Sequence, residues 1–442
     1  MTIQLSDNFS YKKLLRFTLP SIAMMIFTSI YGVIDGLFVS NFVGKQPFAA
    51  INLIWPVSML LGAFGFMIGT GGSALVAKML GEKKQQLANQ TFSMLIFLSI
   101  AIGALISVLG FAFVRPISVA IGAEGETLNY CITYGRILLL ATVAFVLQCE
   151  FQSFLVVAEK PQLGLAVTAA AGVTNIVLDA LFIAVLKWGL VGAALATTLS
   201  QAVGAVIPLV YFALNKNSPL RLLKAGFNFK AVLQTCFNGS SEMMTNLSMS
   251  VVNILYNFQL MRLSGENGVA AYGVIMYVNF IFVSIFIGYS IGSAPVISYH
   301  YGAQNLDELK SLFKKSVVII SAFSAAMLFS AVLLAKPLSA VFVGYDKTLF
   351  DITARGLTIY SISFLFTGFN IFGSSFFTAL NNGLVSAAIS FLRTLVFQII
   401  SVLLLPVLFG LDGVWIAIIA AEGLSLIVTI AFIKRLRPVY HY

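Results

Sequence analysis

Ionised side chains are scarce in this chain. Of its 442 residues only 10% are Asp, Glu, Lys or Arg, against about 25% in a soluble domain. That composition cannot cover a water-exposed surface. With 59% hydrophobic residues and a mean hydropathy of +0.98, the chain reads as a polytopic membrane protein. Cysteine is nearly absent. Cys131, Cys149 and Cys236 lie in or near apolar spans without metal-ligand spacing, which excludes a disulfide framework and a zinc site. The two histidines, His300 and His441, are far apart in sequence, which argues against a histidine proton relay. There is no Walker loop, so ATP is not the direct driver. No His/Cys cluster and no diphosphate-binding acidic cluster occurs, so no enzyme chemistry is expected. No cleavable signal peptide is visible, because the first span is long and lacks a small-residue cleavage site. Basic residues outnumber acidic ones and give a net charge of +10. They sit in short loops between apolar spans, a pattern of membrane orientation rather than of nucleic-acid binding.

What is present is a series of long apolar runs. Twelve spans are predicted, at roughly 13–41, 48–79, 88–113, 127–157, 162–186, 189–214, 232–261, 268–300, 311–335, 349–379, 383–409 and 412–434. Most exceed the ~20 residues needed to cross a bilayer, which implies tilt. Every connection is short except Asn215 to Lys230. The even-numbered loops and both termini hold clusters such as Lys12-Lys13 with Arg16, Lys83-Lys84, Lys314-Lys315, and Lys434-Arg435 with Arg437. The odd-numbered loops hold isolated cations such as Lys45, Arg115 and Lys187. Positive charge stays inside, which predicts that both termini are cytoplasmic.

The chain also repeats itself. A constant offset of 221 residues takes Gly44 to Gly265, Ala49-Ala50 to Ala270-Ala271 and Gly81 to Gly302. The same offset takes Arg115-Pro116 to Lys336-Pro337, and Gly189 and Gly192 to Gly410 and Gly413. The expected fold is therefore all-α, with 12 transmembrane helices in two parallel-repeat six-helix lobes. Residues 1–214 form the first lobe, 215–230 a cytoplasmic linker and 231–442 the second lobe. Parallel repeats about an axis along the membrane normal are a transporter arrangement, with substrate bound between the halves.

Against this apolar background a few polar groups stand out. In Asn175-Ile-Val-Leu-Asp179 a carboxamide and a carboxylate sit four residues apart, on one face of a helix. A carboxylate at mid-membrane costs about 2.5–3.5 kcal/mol, so it usually faces a bundle interior or a watery path and serves an ion or substrate. At ~1.5 Å per residue, Asp35, Asp179 and Thr197 all lie about 12–14 Å below the external ends of their spans. Asn175 and Tyr31 lie one turn deeper. Two carboxylates, an amide and a hydroxyl in one layer suit Na⁺ or a proton, and their mutual repulsion makes the pair sensitive to a passing cation. Under the 221 offset Asp35 becomes Tyr256, Asn175 becomes Val396, Asp179 becomes Ile400 and Thr197 becomes Ile418, so the ion site is expected in the first lobe only.

Other candidates follow. Glu242, after Asn238-Gly-Ser-Ser, meets either a cationic substrate or a helix end. Glu150, and Glu422 at the position matching Gln201, are candidates for packing pairs with an intramembrane arginine. Arg136, Arg355 and Arg393 are expected to be structural partners. Pro20 is a candidate hinge, because a bend there moves Asp35. The 39 Phe, 13 Met and 15 Tyr supply lining for a broad cavity, or more simply lipid contact and helix packing.

With these residues placed, the chain resembles the multidrug and toxin extrusion (MATE) family over nearly its whole length. The resemblance rests on Leu19-Pro20, Val33-Ile-Asp35-Gly-Leu-Phe-Val, Gly44 with Ala49-Ala50, Asn175-Ile-Val-Leu-Asp179, and Gly192-Ala-Ala-Leu-Ala-Thr197 with Ser200-Gln201. Asn238-Gly-Ser-Ser-Glu242 is similar to the bacterial branch that includes staphylococcal-type multidrug exporters. The resemblance implies two V-shaped lobes and export of organic cations or drugs in exchange for Na⁺ or H⁺. It implies no cofactor and a cation site at Asp35, Asn175, Asp179 and Thr197. Tyr31, Gln201 and Glu242 are secondary or substrate candidates. The expected setting is a bacterial plasma membrane, with membrane lipid as neighbour, no nucleic-acid partner and a working monomer. The competing reading is a flippase for lipid-linked precursors, which shares the architecture but calls for a cavity rich in arginine.

Overall fold

A computed structural model describes residues 3–442, apart from the side chains of Val33, Leu37, Ser40, Asn41, Lys45, Phe48, Ala49 and Trp55. The helices are α1 (Tyr11–Phe42), α2 (Lys45–Gly81), α3 (Gln85–Ala120), α4 (Gly125–Leu140), α5 (Thr142–Val157), α6 (Pro161–Asp179) and α7 (Gly189–Leu214). After a non-helical crossing come α8 (Phe229–Gly302), α9 (Leu306–Val343), α10 (Lys347–Tyr360), α11 (Phe364–Ala379), α12 (Gly383–Phe391) and α13 (Phe397–Tyr440). The α4/α5 pair bends by 56° at Ala141 and makes one span. The 74-residue α8 and the 44-residue α13 break at Gly265 (φ 61°) and Gly410 (φ 58°), in backbone regions that only glycine adopts readily. Among the described residues this yields twelve spans, as the apolar runs predict.

Some details differ from the sequence expectation. The loop expected between spans 7 and 8 shrinks to the Gly265 break. Span 4 is two helices rather than one. The fifth span leaves α-geometry just after Asp179, where Ala180–Val185 wind as a π-helix. The helix α1 continues through Pro20 to Phe42.

The internal repeat is written in the backbone. Gly44 and Gly265, Lys83 and Gln304, and Gly189 and Gly410 are pairs at the 221 offset, and all six have positive φ. The seam between the halves repeats as well. A Cβ on Gly81 would overlap the Tyr299 carbonyl, and a Cβ on Gly302 would overlap the Lys78 carbonyl. The halves therefore meet backbone to backbone at the end that carries Lys78, Lys83 and Lys84. Further along, Ser29 Oγ reaches the Phe280 carbonyl at 3.4 Å.

The buried apolar side chains divide accordingly. One cluster draws on both halves, with Phe9, Phe17, Phe92, Phe154 and Phe212 beside Phe286, Tyr289, Phe372 and Phe376. A second lies wholly in the first half, around Val39, Ala50, Cys131, Ile183 and Ala193. A third lies wholly in the second half, around Tyr256, Leu260, Tyr272, Leu357 and Trp415. One shared core that splits into two describes a V. Outside it, large apolar side chains such as Val108, Phe329, Leu333, Val341, Val407 and Leu408 are exposed. On a soluble protein such a surface would aggregate, but a bilayer covers it.

Candidate cation site

The site forms where α1 and α6 pass each other beside the first-half core. Asn175 and Asp179, one turn apart on α6, are buried at 2% and 0% exposure. Asp35 on α1 has the side chains of both within hydrogen-bonding reach. The structure thus brings together three of the four residues of the predicted layer. Among the described residues, neither oxygen of Asp179, nor Asp35 Oδ1, nor Asn175 Oδ1 has a hydrogen-bond donor. Buried acceptors nearly always find a partner, and one left without incurs the full loss of its hydration. Four acceptor oxygens converging without donors are a site for something that brings positive charge, a proton or a bare cation with hard-oxygen ligands.

Tyr31 is adjacent. Its ring covers Gly172 on α6, and its hydroxyl lies within reach of the Gln148 side chain. Thr197 is partly buried on α7 and donates to its own Ala193 carbonyl at 3.1 Å, which leaves its lone pairs available. Gln201 is partly buried one turn further along that helix. Sequence reasoning missed Tyr134 on α4, a buried side chain in the electrostatic field of both Asp35 and Asp179. The depth argument offered a signal for it: Tyr134 lies ten residues in from Glu124, about 15 Å along a helix, close to the carboxylate layer.

The second half is polar too, but its buried carboxylate, Glu422, is paired. Arg393 Nε donates to Glu422 Oε1 and Oε2 at 2.9 and 3.0 Å, and Asn370 Nδ2 adds a 2.7 Å bond to Oε2. Thr429 donates to Asn370 Oδ1 at 3.0 Å. Tyr256, which stands where Asp35 does in the repeat, donates to Gln398 at 3.0 Å. The expected arginine partner for Glu422 is thus Arg393. Arg355 pairs with Asp412, and Arg136 lies 5.1 Å over the Phe111 ring. Glu150 departs from the expectation. It has no arginine; the Ser99 hydroxyl donates to one of its oxygens, while Oε2 has no donor among the described residues. Glu242 is partly buried and sits in the field of Arg393 without an ion pair.

Twelve membrane spans in two repeated lobes, joined by a glycine seam and holding buried carboxylate oxygens without donors in one lobe, are the build of a secondary transporter and not of an enzyme. The MatE family model matches residues 20–181 and 242–404, and the chain belongs to that family. It is similar to the multidrug export protein MepA of Staphylococcus haemolyticus (strain JCSC1435), with 27% identity over 436 residues that cover 97% of this chain and 94% of that one. A multidrug resistance MATE family transporter of the MOP superfamily, solved in an outward-facing conformation, superposes with a TM-score of 0.93 at 23% identity. That match covers 98% of this chain and 97% of the other. A MATE in complex with MaL6 gives 0.92 at 24% identity, with 98% of each chain covered. These two likenesses establish the shared two-lobed fold.

Proposed function

We propose that the protein is a multidrug exporter. It moves organic cations out of a bacterial cell in exchange for Na⁺ or H⁺, without a cofactor. Residues 1–214 are the coupling lobe, 215–230 the cytoplasmic link and 231–442 the second lobe. Both termini lie in the cytoplasm of a cell whose plasma membrane holds the protein, and one chain suffices for transport. The end sealed by Gly81 and Gly302 is then the cytoplasmic one, and this conformation faces outward. The observation that carries the reading is the Asp35–Asp179 pair with Asn175, four of whose five side-chain oxygens lack donors among the described residues. A coupling ion that binds there more tightly in one conformation than the other shifts the balance between them, which is all that coupling requires. Thr197 and Tyr31 complete the ion's surroundings, Gln201 and Glu242 meet the substrate, and Pro20 lets α1 flex and move Asp35.

The relatives whose names include multidrug export support drugs as the substrate class. The flippase reading is set aside. Arg393 and Arg355 are already held by Glu422 and Asp412, so neither is free for a diphosphate.

The test is efflux of preloaded ethidium from cells lacking their own pumps, comparing wild type with Asp179→Asn at equal membrane level. Wild type exports and the variant does not. Equal export by both would make Asp179 structural and sink the assignment. In proteoliposomes, an imposed Na⁺ or H⁺ gradient identifies which ion drives the dye.

A further inference from the structure

Residues 3–10, ahead of α1, do not trail away from the bundle. Leu5 and Phe9 are each 1% exposed. Leu5 N–H donates to Glu159 Oε1 at 2.8 Å, in the α5–α6 turn of the first half. Four residues later Phe9 N–H donates to Glu308 Oε1 at 2.8 Å, in the first turn of α9 in the second half. Lys315, two turns further along α9, donates to the Phe9 carbonyl. The Phe9 ring stands edge-on to His300 of α8 at 6.4 Å and lies 5.8 Å from Phe17 of α1. Between the anchors Gln4 N–H donates to Asp7 at 3.0 Å, and Asp7 holds Lys13 at 2.8 Å. The segment is thus fastened to both halves, over the seam that Gly81 and Gly302 close.

The crossing between α7 and α8 makes the reciprocal arrangement. Arg221 N–H donates to Asn89 Oδ1 at 3.1 Å and Leu223 N–H to Ser93 Oγ at 2.8 Å, both on α3. Helix α3 is the repeat counterpart of α9. The segment leading into the first repeat therefore docks on the second half, and the segment leading into the second repeat docks on the first.

We propose that residues 3–10 are a latch that holds the lobes together at their basic end, with Glu308 and Lys315 as its catch. The inference rests on the proposed function, taken as an exchange between outward- and inward-facing conformations (alternating access). For the basic end to open, α9 must part from α1. The strap, covalently bound to α1, must then release Glu308 and Lys315 and withdraw Phe9 from His300. Glu159, on the strap's own half, orients it without spanning the seam.

The experiment measures the distance between spin labels at Gln86 on α3 and Lys310 on α9, both exposed, with the three native cysteines replaced by alanine. The full-length protein sits in lipid nanodiscs. Wild type shows mainly a short distance, with a minor long one that responds to ethidium, Na⁺ or pH. Glu308→Ala removes one charge-assisted hydrogen bond, which raises the long-to-short ratio about tenfold. Phe9→Ala acts in the same direction, and Glu159→Ala changes the ratio less than threefold. Unchanged distances in Glu308→Ala, in a sample whose wild type responds, would overturn the latch and leave a merely stabilising segment. Because Glu308 is only partly buried, that arm stands even if Phe9→Ala does not accumulate. A wild type with one distance under every condition would overturn the alternating-access reading, and the latch with it.

Discussion

Gly81 and Gly302 face each other's repeat across the seam: Gly81 abuts the Tyr299 carbonyl, Gly302 the Lys78 carbonyl. The same offset that links the two glycines links Lys78 to Tyr299. Such reciprocity is what a two-fold interface produces, here within one chain. It places the repeat axis in the seam between the two lobes.

Substituting Gly81 with leucine would drive a side chain into the Tyr299 carbonyl, with no flexible neighbour to yield. The expected result is a wedge that holds the basic end apart. Ethidium efflux falls at least tenfold, and the Gln86–Lys310 distance lengthens. Gly302→Leu does the same by symmetry. Wild-type distances in both variants would show that the seam is softer than its geometry.

Asp35 and Asp179 share one site, so their neutralisations should not add. Asp35→Asn and Asp179→Asn each abolish ion-driven efflux, and the double variant is no worse than either single one, as expected of contacting residues. Efflux at matched membrane levels decides this. Independent effects would mean that the two carboxylates serve separate tasks.

Tyr134→Phe removes only a hydroxyl beside the two carboxylates. The fold is kept, and maximal efflux stays within about twofold. The driving-ion concentration that gives half-maximal efflux shifts by about threefold or more, since the hydroxyl dipole acts on the carboxylates through a low-dielectric interior. No shift would place Tyr134 in the packing alone.

Arg393→Ala leaves Glu422, which is 3% exposed, without its cation. Breaking one partner of a buried ion pair costs about 3–5 kcal/mol, so the variant melts well below wild type. Arg393→Met with Glu422→Gln recovers most of the loss, because a charge is no longer stranded. Thermal unfolding in detergent measures both. A single variant as stable as wild type would show that the pair is not a structural tie.

Much of this is legible in the sequence. Long apolar runs with charge confined to loops specify spans, and a repeat that preserves Gly44/Gly265 and Gly189/Gly410 marks positions where the backbone needs positive φ. Depth alone puts Asp35 and Asp179 in one layer, though not side by side. Three other features left no comparable trace. Residues 3–10 have no periodicity, since only Leu5 and Phe9 turn inward, and their anchors are backbone amides bound to residues 154 and 299 positions away. The bend at Ala141 carries no proline or glycine. The π-helical turn after Asp179 is a local change in winding that the apolar Ala180–Val185 gives no reason to expect. Glu150 misled because a buried carboxylate suggests an arginine, whereas a serine hydroxyl from α3 was the partner at hand.

The splitting of one shared core into two has a further consequence. Parts of a protein that hold separate cores open as separate cooperative units. The outer core around Ala50 and Ile183, next to the carboxylates, can therefore loosen while the shared core and the core around Trp415 stay intact. A lesion in that region would leave a protein that is made, inserted and recognised as whole, yet no longer transports. Abundance in the membrane would then be a poor witness to activity, and damage would be visible only as faster amide exchange in the outer reaches of the first lobe.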